Sequence, residues 1–117
     1  FLDAQVVGPN SINIGGKRIT VQCNAFSKGD EICVAARPEA IEISPKKTKT
    51  SFEGTVIDIE FLGSFVRLHI KTSLSSNNYL LADTPLTENF GSSISLNSKI
   101  NFSFLPKLLN IYDHEGV

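Results

Sequence analysis

A strict alternation of apolar and polar residues recurs along this chain and constrains its fold more than any other feature. The alternating apolar sets are Ile19, Val21 and Cys23; Ile32, Val34 and Ala36; Ile41 and Ile43; and Ile100, Phe102 and Phe104. Because successive side chains of a strand point to opposite faces of a sheet, this period predicts five or more short, half-buried strands. Ile, Val and Thr together number 26 against six Ala. Since β-branched side chains favour strands over helices, we expect an all-β fold.

The length of the chain, 117 residues, suits one domain spanning residues 1–117. Hydrophobic residues make up 41% of it, as in ordinary globular proteins. No apolar stretch is long enough for a membrane-spanning helix, and no secretory signal is visible. The chain begins with Phe1 and contains no Met. We therefore expect it to be a piece of a longer polypeptide.

The charge balance and the cysteines exclude several kinds of partner. Eleven basic and twelve acidic residues leave a net charge of −1, which provides no long-range attraction for a phosphate backbone. Nucleic acid is thus an unexpected partner. Cys23 and Cys33 lack both a CxxC spacing and a neighbouring His, so we expect no metal site and two reduced, structural thiols.

Residues 52–71 form the clearest local structure, a hairpin with a turn near Leu62-Gly63. Its apolar positions are Ile57, Ile59, Phe61, Val66, Leu68 and Ile70. Placing both apolar sets on one face predicts that Ile59 lies opposite Val66 and that Asp58 lies opposite Arg67. The same parity assigns Phe61 to the core.

Three further segments separate the strands, and no internal repeat is visible. Residues 44–50 are predicted to be an exposed connector, and residues 74–78 a polar loop. Residues 84–91 begin with an N-cap candidate followed by Pro and end in Gly, which predicts one helical turn.

The sequence contains no recognisable catalytic motif. Gly15-Gly16-Lys17 is not a phosphate-binding loop, because Ser11 stands where that motif needs Gly, and a tight turn explains the glycines. His69 and His114 have no nucleophile and carboxylate in a known arrangement. An enzyme is therefore the weakest of the functional classes.

One strand carries a suggestive polar stripe. Alternation places four residues on it: Phe65, Arg67, His69 and Lys71. Small β-barrels bind single-stranded nucleic acid with such combinations of aromatic and basic side chains. However, Asp58 and Glu60 on the facing strand would repel phosphates. The stripe is open to three interpretations: a nucleic-acid site, a protein-contact face centred on Phe65, Arg67 and His69, or a plain solvated face.

Several motifs, in order, resemble the transport-associated OB (TOBE) domain. Residues 29–41, GDEICVAARPEAI, are similar to its "GD, strand, RPE, strand" signature, and residues 54–64, GTVIDIEFLGS, to its "GxV, strand, LGS" hairpin. Residues 104–113, FLPKLLNIYD, resemble its closing segment, and Phe1-Leu2 its beginning. The motif positions, which we expect to maintain the fold, are Arg37, Pro38, Glu39, Gly54, Leu62, Gly63 and Ser64.

The chain departs from the family pattern at three places. Ala36 replaces a larger aliphatic residue, Phe104 replaces a common Trp, and Asn97-Ser98 stands where Gly-Asp is usual. These departures leave the subfamily, and hence the transported substrate, open.

The resemblance implies two interleaved OB-like barrels forming the C-terminal regulatory domain of an ATP-binding subunit of a bacterial ABC importer, of the maltose, iron(III), spermidine/putrescine or sulfate type. Such a domain dimerises with its twin, while a separate ATPase domain binds ATP and Mg and contacts the membrane subunits. The expected location is the cytoplasmic face of the inner membrane, with no enzyme activity and no cofactor in this segment. The alternative is a free-standing OB module that binds nucleic acid or a small oxyanion, like the related molybdate-binding domains.

Within that fold, two motif residues have a direct physical role. Pro38 fixes its own φ and pushes Arg37 toward an extended conformation, so we expect a corner that breaks one strand into two. Gly54 should relieve crowding where a barrel strand bends.

Overall fold

The computed structural model describes residues 1–44, 46–75, 77–85 and 94–113, and over these residues it is an all-β protein. Its strands are β1 Leu2–Gly8, β2 Ser11–Ile14, β3 Lys17–Thr20, β4 Glu31–Ala36, β5 Ile41–Ser44, β6 Phe52–Phe61, β7 Phe65–Lys71, β8 Tyr79–Pro85, β9 Lys99–Phe104 and β10 Leu109–Asp113. Two 3₁₀ turns, Pro38–Ala40 and Pro106–Leu108, interrupt them. The all-β prediction is confirmed.

The strands form two five-stranded antiparallel sheets. The first sheet has the order β10-β4-β1-β2-β3, and the second has the order β5-β9-β6-β7-β8. In the second sheet the two edge strands, β5 and β8, pack against each other, as the closure of a small barrel requires. Because β10 returns to the first sheet after the whole second sheet has formed, the two OB-like units are interleaved as predicted.

The two sheets repeat one topology and exchange one strand. When the strands of each sheet are numbered by their places in the OB pattern, both sheets have the order 5-4-1-2-3. The fifth strand of each sheet comes from the other unit. After β4 the chain crosses to the second sheet as β5, and after β9 it crosses back to the first sheet as β10. The duplication is therefore structural: it agrees with the two predicted barrels, although no repeat is visible in the sequence.

Local geometry confirms the duplication. Gly29 and Asn97 precede equivalent strands, and both have positive φ, +95° and +66°. The Gly29 amide donates to the Val6 carbonyl at 2.7 Å, and the Asn97 amide donates to the Val56 carbonyl at 2.7 Å. A bulge follows Val6 in β1 and Val56 in β6. Asn tolerates the left-handed region better than other non-glycine residues, which explains how Asn97 replaces the glycine of the first unit.

The core is a continuous apolar cluster contributed by both sheets. Phe102 is fully buried, and its ring lies 5.9 Å from those of Phe52 and Phe104. Aromatic pairs at this separation stabilise a core beyond their buried area. Both cysteines are free and buried, which agrees with a structural role for the two thiols.

The crossing between the sheets lies at the Arg37-Pro38 corner. Arg37 is extended, with φ −71° and ψ 160°, and Pro38 begins the 3₁₀ turn. The Leu105 amide, at the second crossing, donates to the Ala40 carbonyl of the first at 2.8 Å. The predicted corner is confirmed, and the two crossings support each other.

The predicted register of the β6–β7 hairpin is wrong by two residues. Ile59 lies opposite Leu68 rather than Val66, and Asp58 lies opposite His69 rather than Arg67. The loop has the predicted even length but lies one residue further along the chain: Phe61 pairs with Val66, and the Leu62 amide donates to the Phe65 carbonyl, so the loop is Gly63-Ser64 rather than Leu62-Gly63.

Two residues of β6 that alternation assigned to the apolar face, Ile57 and Phe61, are exposed. The bulge after Val56 turns Ile57 outward, and Ile57 is 43% exposed. Phe61, assigned to the core by parity, is 67% exposed, although its strand partner Val66 is fully buried.

The connecting segments agree with the predictions where the structure describes them. Residues 46–50 are exposed, and Gly15-Gly16 forms the tight turn between β2 and β3 with positive φ at both residues. In the predicted helical turn, Thr84 and Pro85 instead belong to β8, and residues 86–91 lie outside the described residues.

Candidate functional site

The predicted contact stripe on β7 makes ion pairs within the sheet. The Arg67 guanidinium donates through Nε to Asp83 Oδ1 at 2.8 Å and through a terminal nitrogen to Asp83 Oδ2 at 3.1 Å. These hydrogen bonds raise the pKa of Arg67. Glu60 lies directly opposite on the other neighbouring strand. Arg67 is therefore held between two acidic residues, neither of which is the predicted Asp58.

His69 and Phe65 are also engaged by neighbouring strands. His69 Nε2 lies 2.5 Å from Glu60 Oε1, and its ring centroid lies 5.5 Å from that of Tyr79. Phe65 is half-buried and pairs with Pro85. The structure thus places Phe65, Arg67 and His69 on one face, as predicted. Arg67 and His69 already form ion pairs with residues of neighbouring strands.

The TOBE motif positions lie at two separate places. Arg37 and Glu39 are exposed beside Pro38 at the sheet crossing, whereas Leu62, Gly63 and Ser64 form the exposed hairpin tip, with φ +89° at Gly63. Gly54 lies inside the second sheet. A Cβ at Gly54 would approach Ile70 Cγ2 to 2.3 Å, so its predicted role in relieving crowding agrees with the geometry.

A basic groove crosses the outer face of the second sheet, and the sequence analysis did not identify it. Thr55 of β6 lies opposite Lys99 of β9 on one side and opposite Lys71 of β7 on the other. The three residues form a row across three adjacent strands. Since neighbouring strands are about 4.8 Å apart, the Cα atoms of the two lysines are about 10 Å apart, within reach of one bound ion between the flexible side chains.

Polar groups complete this groove, whose volume is about 430 Å³. Its other lining residues are Glu53, Gly54, Thr72, Ser73 and Asn78. The Thr72 hydroxyl donates to the Glu53 carbonyl at 3.4 Å. Among the described residues, the salt bridges are Arg67–Asp83 and His69–Glu60, so no described carboxylate lies within 4 Å of either groove lysine. The lysines are available to an external anion.

The first sheet has an equivalent groove at the equivalent place. There, Gln5 of β1 lies opposite Glu31 of β4 and opposite Asn13 of β2. This second groove has a volume of about 410 Å³, and Asp3, Ala4 and Gly15 also line it. Asp3 and Glu31 contribute carboxylates to it, and Arg18 of β3 lies opposite Asn13 at the end of the row. The two grooves therefore share an architecture and differ in the charged residues that line them.

A third, smaller cavity of about 260 Å³ lies between the units, next to the basic groove. Its Lys17 ammonium donates to the Ser51 carbonyl and lies 5.3 Å from the Phe52 ring centroid. Lys17 therefore already has an acceptor and an aromatic face, whereas Lys47, which is exposed, also lines this cavity.

Neither a metal centre nor a membrane helix emerges from the part of the chain that the structure describes. No group of three or more His, Cys, Asp or Glu residues is placed to hold a metal ion there. No helix among the same residues is long and apolar enough to cross a bilayer.

The chain is an all-β protein of the OB-like class, with two interleaved barrels that meet at the Arg37-Pro38-Glu39 corner. The chain matches the TOBE domain family over residues 34–104, well over half of its length, and it belongs to that family. The matched region runs from β4 through the end of β9 and so contains the whole second sheet.

Among solved structures, the fold is similar to that of the cytoplasmic molybdate-binding protein ModG, crystallised with molybdate bound. The TM-score is 0.71 at 10% sequence identity, and the similarity covers 96% of this chain and 94% of ModG. No protein with a curated description matches this chain significantly in sequence.

Proposed function

We propose that this chain is the C-terminal regulatory and dimerisation domain of an ABC importer ATP-binding subunit. The observation that carries the proposal is membership of the TOBE family over residues 34–104, together with the order of its Arg37-Pro38-Glu39 and Leu62-Gly63-Ser64 motifs. Both motifs lie at the surface, where a regulatory partner can reach them. ATP and Mg would be bound by the ATPase domain and not by these residues.

In this role the domain acts by contact and not by catalysis. Two ATPase domains that dimerise would bring two copies of this domain to an effective concentration in the millimolar range. A weak contact between the copies would then suffice, and a substrate or partner protein that disturbs it would change transport. The membrane subunits would be contacted through the ATPase domain, on the cytoplasmic face of the inner membrane.

The test begins with the full-length gene product. The residues encoded before Phe1 should contain a P-loop and an LSGGQ-type signature, and removal of the TOBE segment should leave ATP hydrolysis while abolishing its inhibition. A reading frame without an ATPase domain would refute the proposal.

The 117-residue chain by itself should neither hydrolyse ATP nor bind nucleotide, because it contains no phosphate-binding loop. Thermal unfolding with and without millimolar ATP provides the measurement. A ligand present at 100 times its dissociation constant should stabilise a protein by about 2.7 kcal/mol, so a clear rise in melting temperature would contradict this prediction.

We also expect the isolated chain to self-associate only weakly, through the face that contains Phe65. Stable interfaces usually bury about 1,200–2,000 Å² around several anchors, whereas Phe65 is a single half-buried aromatic residue. Sedimentation equilibrium of the native chain and of Phe65→Ala measures this association. A nanomolar dimer that Phe65→Ala does not weaken would place the interface elsewhere.

A second candidate function is that of a small-oxyanion-binding module. The favouring observation is the basic groove with Lys99, Thr55 and Lys71 in one row, in a fold similar to that of molybdate-binding ModG. Titration calorimetry with molybdate and with sulfate separates this candidate from a purely protein-contacting domain. Nucleic acid fits less well, since Arg67 is already paired with Asp83.

A further inference from the structure

The two sheets have four edge strands, and three of these edges are protected. β5 and β8 pack against each other and so close the second barrel. β3 is four residues long and carries Lys17 and Arg18, and both short length and positive charge keep an edge from pairing with another chain. The fourth edge strand, β10, contains no Lys, Arg or Pro and pairs with β4 without a bulge. It therefore lacks the usual protection of an edge.

The second barrel shows how the equivalent edge can be covered. There the fifth strand of the OB pattern, β5, packs against the third, β8, which has seven residues. The third strand of the first sheet, β3, has only four residues, and it does not pack against β10 to the same extent. Among the strands that the structure describes, β10 thus has one ladder partner, β4. The outward backbone groups of an edge strand form a row that an extended chain can pair with.

Exposed apolar side chains lie along the same strand. Tyr112 is 45% exposed, and its ring packs edge-on against that of Phe1 with the centroids 6.2 Å apart. Phe1 is itself exposed, and so is Leu108, which directly precedes β10. β10 therefore combines an open backbone edge with apolar contact surface. Peptides that add to a sheet as an extra strand use this combination, because main-chain hydrogen bonds provide affinity and alternate side chains provide specificity.

We propose that β10 is a docking edge for an extended segment of another protein, which adds to the first sheet as a sixth strand. The central residues of that segment are apolar and include no proline, because they pair beside Ile111 and Tyr112. This contact goes beyond the regulatory role proposed above. It is also separate from the face that contains Phe65, which belongs to the second sheet.

A second copy of this chain is a less suitable occupant of the edge. Leu109, Ile111 and Asp113 share one face of β10, because side chains alternate along a strand. In an antiparallel two-fold pairing centred on Ile111, Asp113 of each copy would lie opposite Leu109 of the other. In a pairing centred on Tyr112 it would lie opposite Ile111. Both arrangements place a carboxylate beside an apolar side chain, which is unfavourable.

A third two-fold pairing, centred on Asn110, is too short. It would continue into residues Pro106–Leu108, which form a 3₁₀ turn and not a strand, so only residues 109–111 could pair. A segment of a different protein can instead pair along the strand with an uncharged residue at each inward position.

The probe for this edge is a peptide with the sequence of β4, Glu31–Ala36, because β4 is the strand that pairs with β10 in the structure. Cys33→Thr in the peptide prevents oxidation, and a lysine added at each end keeps it soluble. Titrated into the isotopically labelled 117-residue chain, it should shift the amide resonances of residues 109–112 and slow their hydrogen exchange. We expect a dissociation constant of about 1 mM or tighter.

Two N-methylated forms of the peptide test whether it binds as a strand. One carries methyl groups on the odd-numbered amides and the other on the even-numbered amides. Alternate amides of a strand point to opposite sides, so methylation of the amides that face β10 should abolish binding, while methylation of the outward amides should leave it nearly unchanged. This comparison uses the native chain, so it does not depend on the folding of a variant.

Tyr112→Ser should weaken binding of the unmethylated peptide several-fold, since it removes apolar contact but keeps the backbone edge. Leu62→Ser is the matched control, because Leu62 is also an exposed apolar residue but lies at the hairpin tip of the second sheet. It should bind like the native chain, and circular dichroism should show that both variants are folded.

Four results would overturn the proposal. They are equal binding of the two N-methylated peptides, resonance shifts at β3 or β7 in place of β10, no shifts up to millimolar peptide, and a dimer of the native chain whose dissociation on dilution shifts residues 109–112. The last result would assign the edge to a second copy.

Discussion

At the scale of single residues, Gly54 shows how a motif position serves the fold. A Cβ there would lie 2.3 Å from Ile70 Cγ2, 3.2 Å from Phe102 Cε1 and 3.3 Å from the Lys71 carbonyl oxygen. None of these atoms is the free end of a flexible side chain. The equivalent residue of the first sheet is Ala4, whose methyl group packs against the core. The glycine is therefore required by the local packing of the second sheet and not by the topology.

Gly54→Ala should lower the free energy of unfolding by about 1–3 kcal/mol, as overpacking of a dense core usually does. Urea unfolding followed by circular dichroism measures the change. Ala4→Gly is the matched control, and we expect it to cost only about 0.5–1 kcal/mol through backbone entropy and the lost methyl contact. A Gly54→Ala variant as stable as the native chain would show that the β6 strand can move away from Ile70.

At the scale of elements, the β6–β7 hairpin shows the limit of pattern-based register. Alternation identified the correct parity of pairing, since Ile59 faces Leu68 in the core. It could not detect the bulge after Val56 or the position of the turn. In the observed register the Leu62 amide donates to the Phe65 carbonyl. Arg67 pairs with Asp83 of β8, the strand on the other side of β7, which an argument restricted to the β6–β7 hairpin does not include.

The observed register predicts which acidic residue is coupled to Arg67. In double-mutant cycles with Arg67→Met, Asp83→Asn should show a favourable coupling and Asp58→Asn essentially none, because Asp58 lies opposite His69. Thermal unfolding of the native chain, the three single variants and the two double variants provides the comparison. Coupling to Asp58 equal to that of Asp83 would support the register predicted from the sequence instead.

At the scale of the whole molecule, the exchange of fifth strands makes the first sheet depend on a strand that follows the second sheet in the chain. β10 pairs with β4 along five residue pairs, from Leu109 opposite Ala36 to Asp113 opposite Ile32. Leu109 is buried, and burying such a side chain contributes about 1.5–3 kcal/mol. The first sheet is therefore complete only after the second has been made.

Deletion of residues 105–117 should unfold the first sheet and leave the second sheet folded, because the second retains all five of its strands. Amide hydrogen exchange should show lost protection in β1–β4 and retained protection in β5–β9. Leu109→Ala is the milder variant, expected to cost about 2–5 kcal/mol. Unchanged protection of β1–β4 in the truncated chain would show that the first sheet folds without β10.

The sequence predicts one part of the candidate surface, the Arg37-Pro38-Glu39 corner, but not the basic groove. The Arg37-Pro38-Glu39 corner was predictable because proline acts on its own dihedral angle and on that of its neighbour. The basic groove was not, since Thr55, Lys71 and Lys99 are distant in sequence and are brought together only by the pairing of β6 with both β7 and β9.

By itself, the sequence determined the all-β class, the positions of most strands and the corner between the sheets, because alternation and proline stereochemistry act over a few neighbouring residues. Only the tertiary structure decided which sheet each fifth strand joins, how far the hairpin extends and which charges meet. Those features depend on pairings between distant strands, and each pairing is chosen by the packing of the whole barrel, so no local pattern records them.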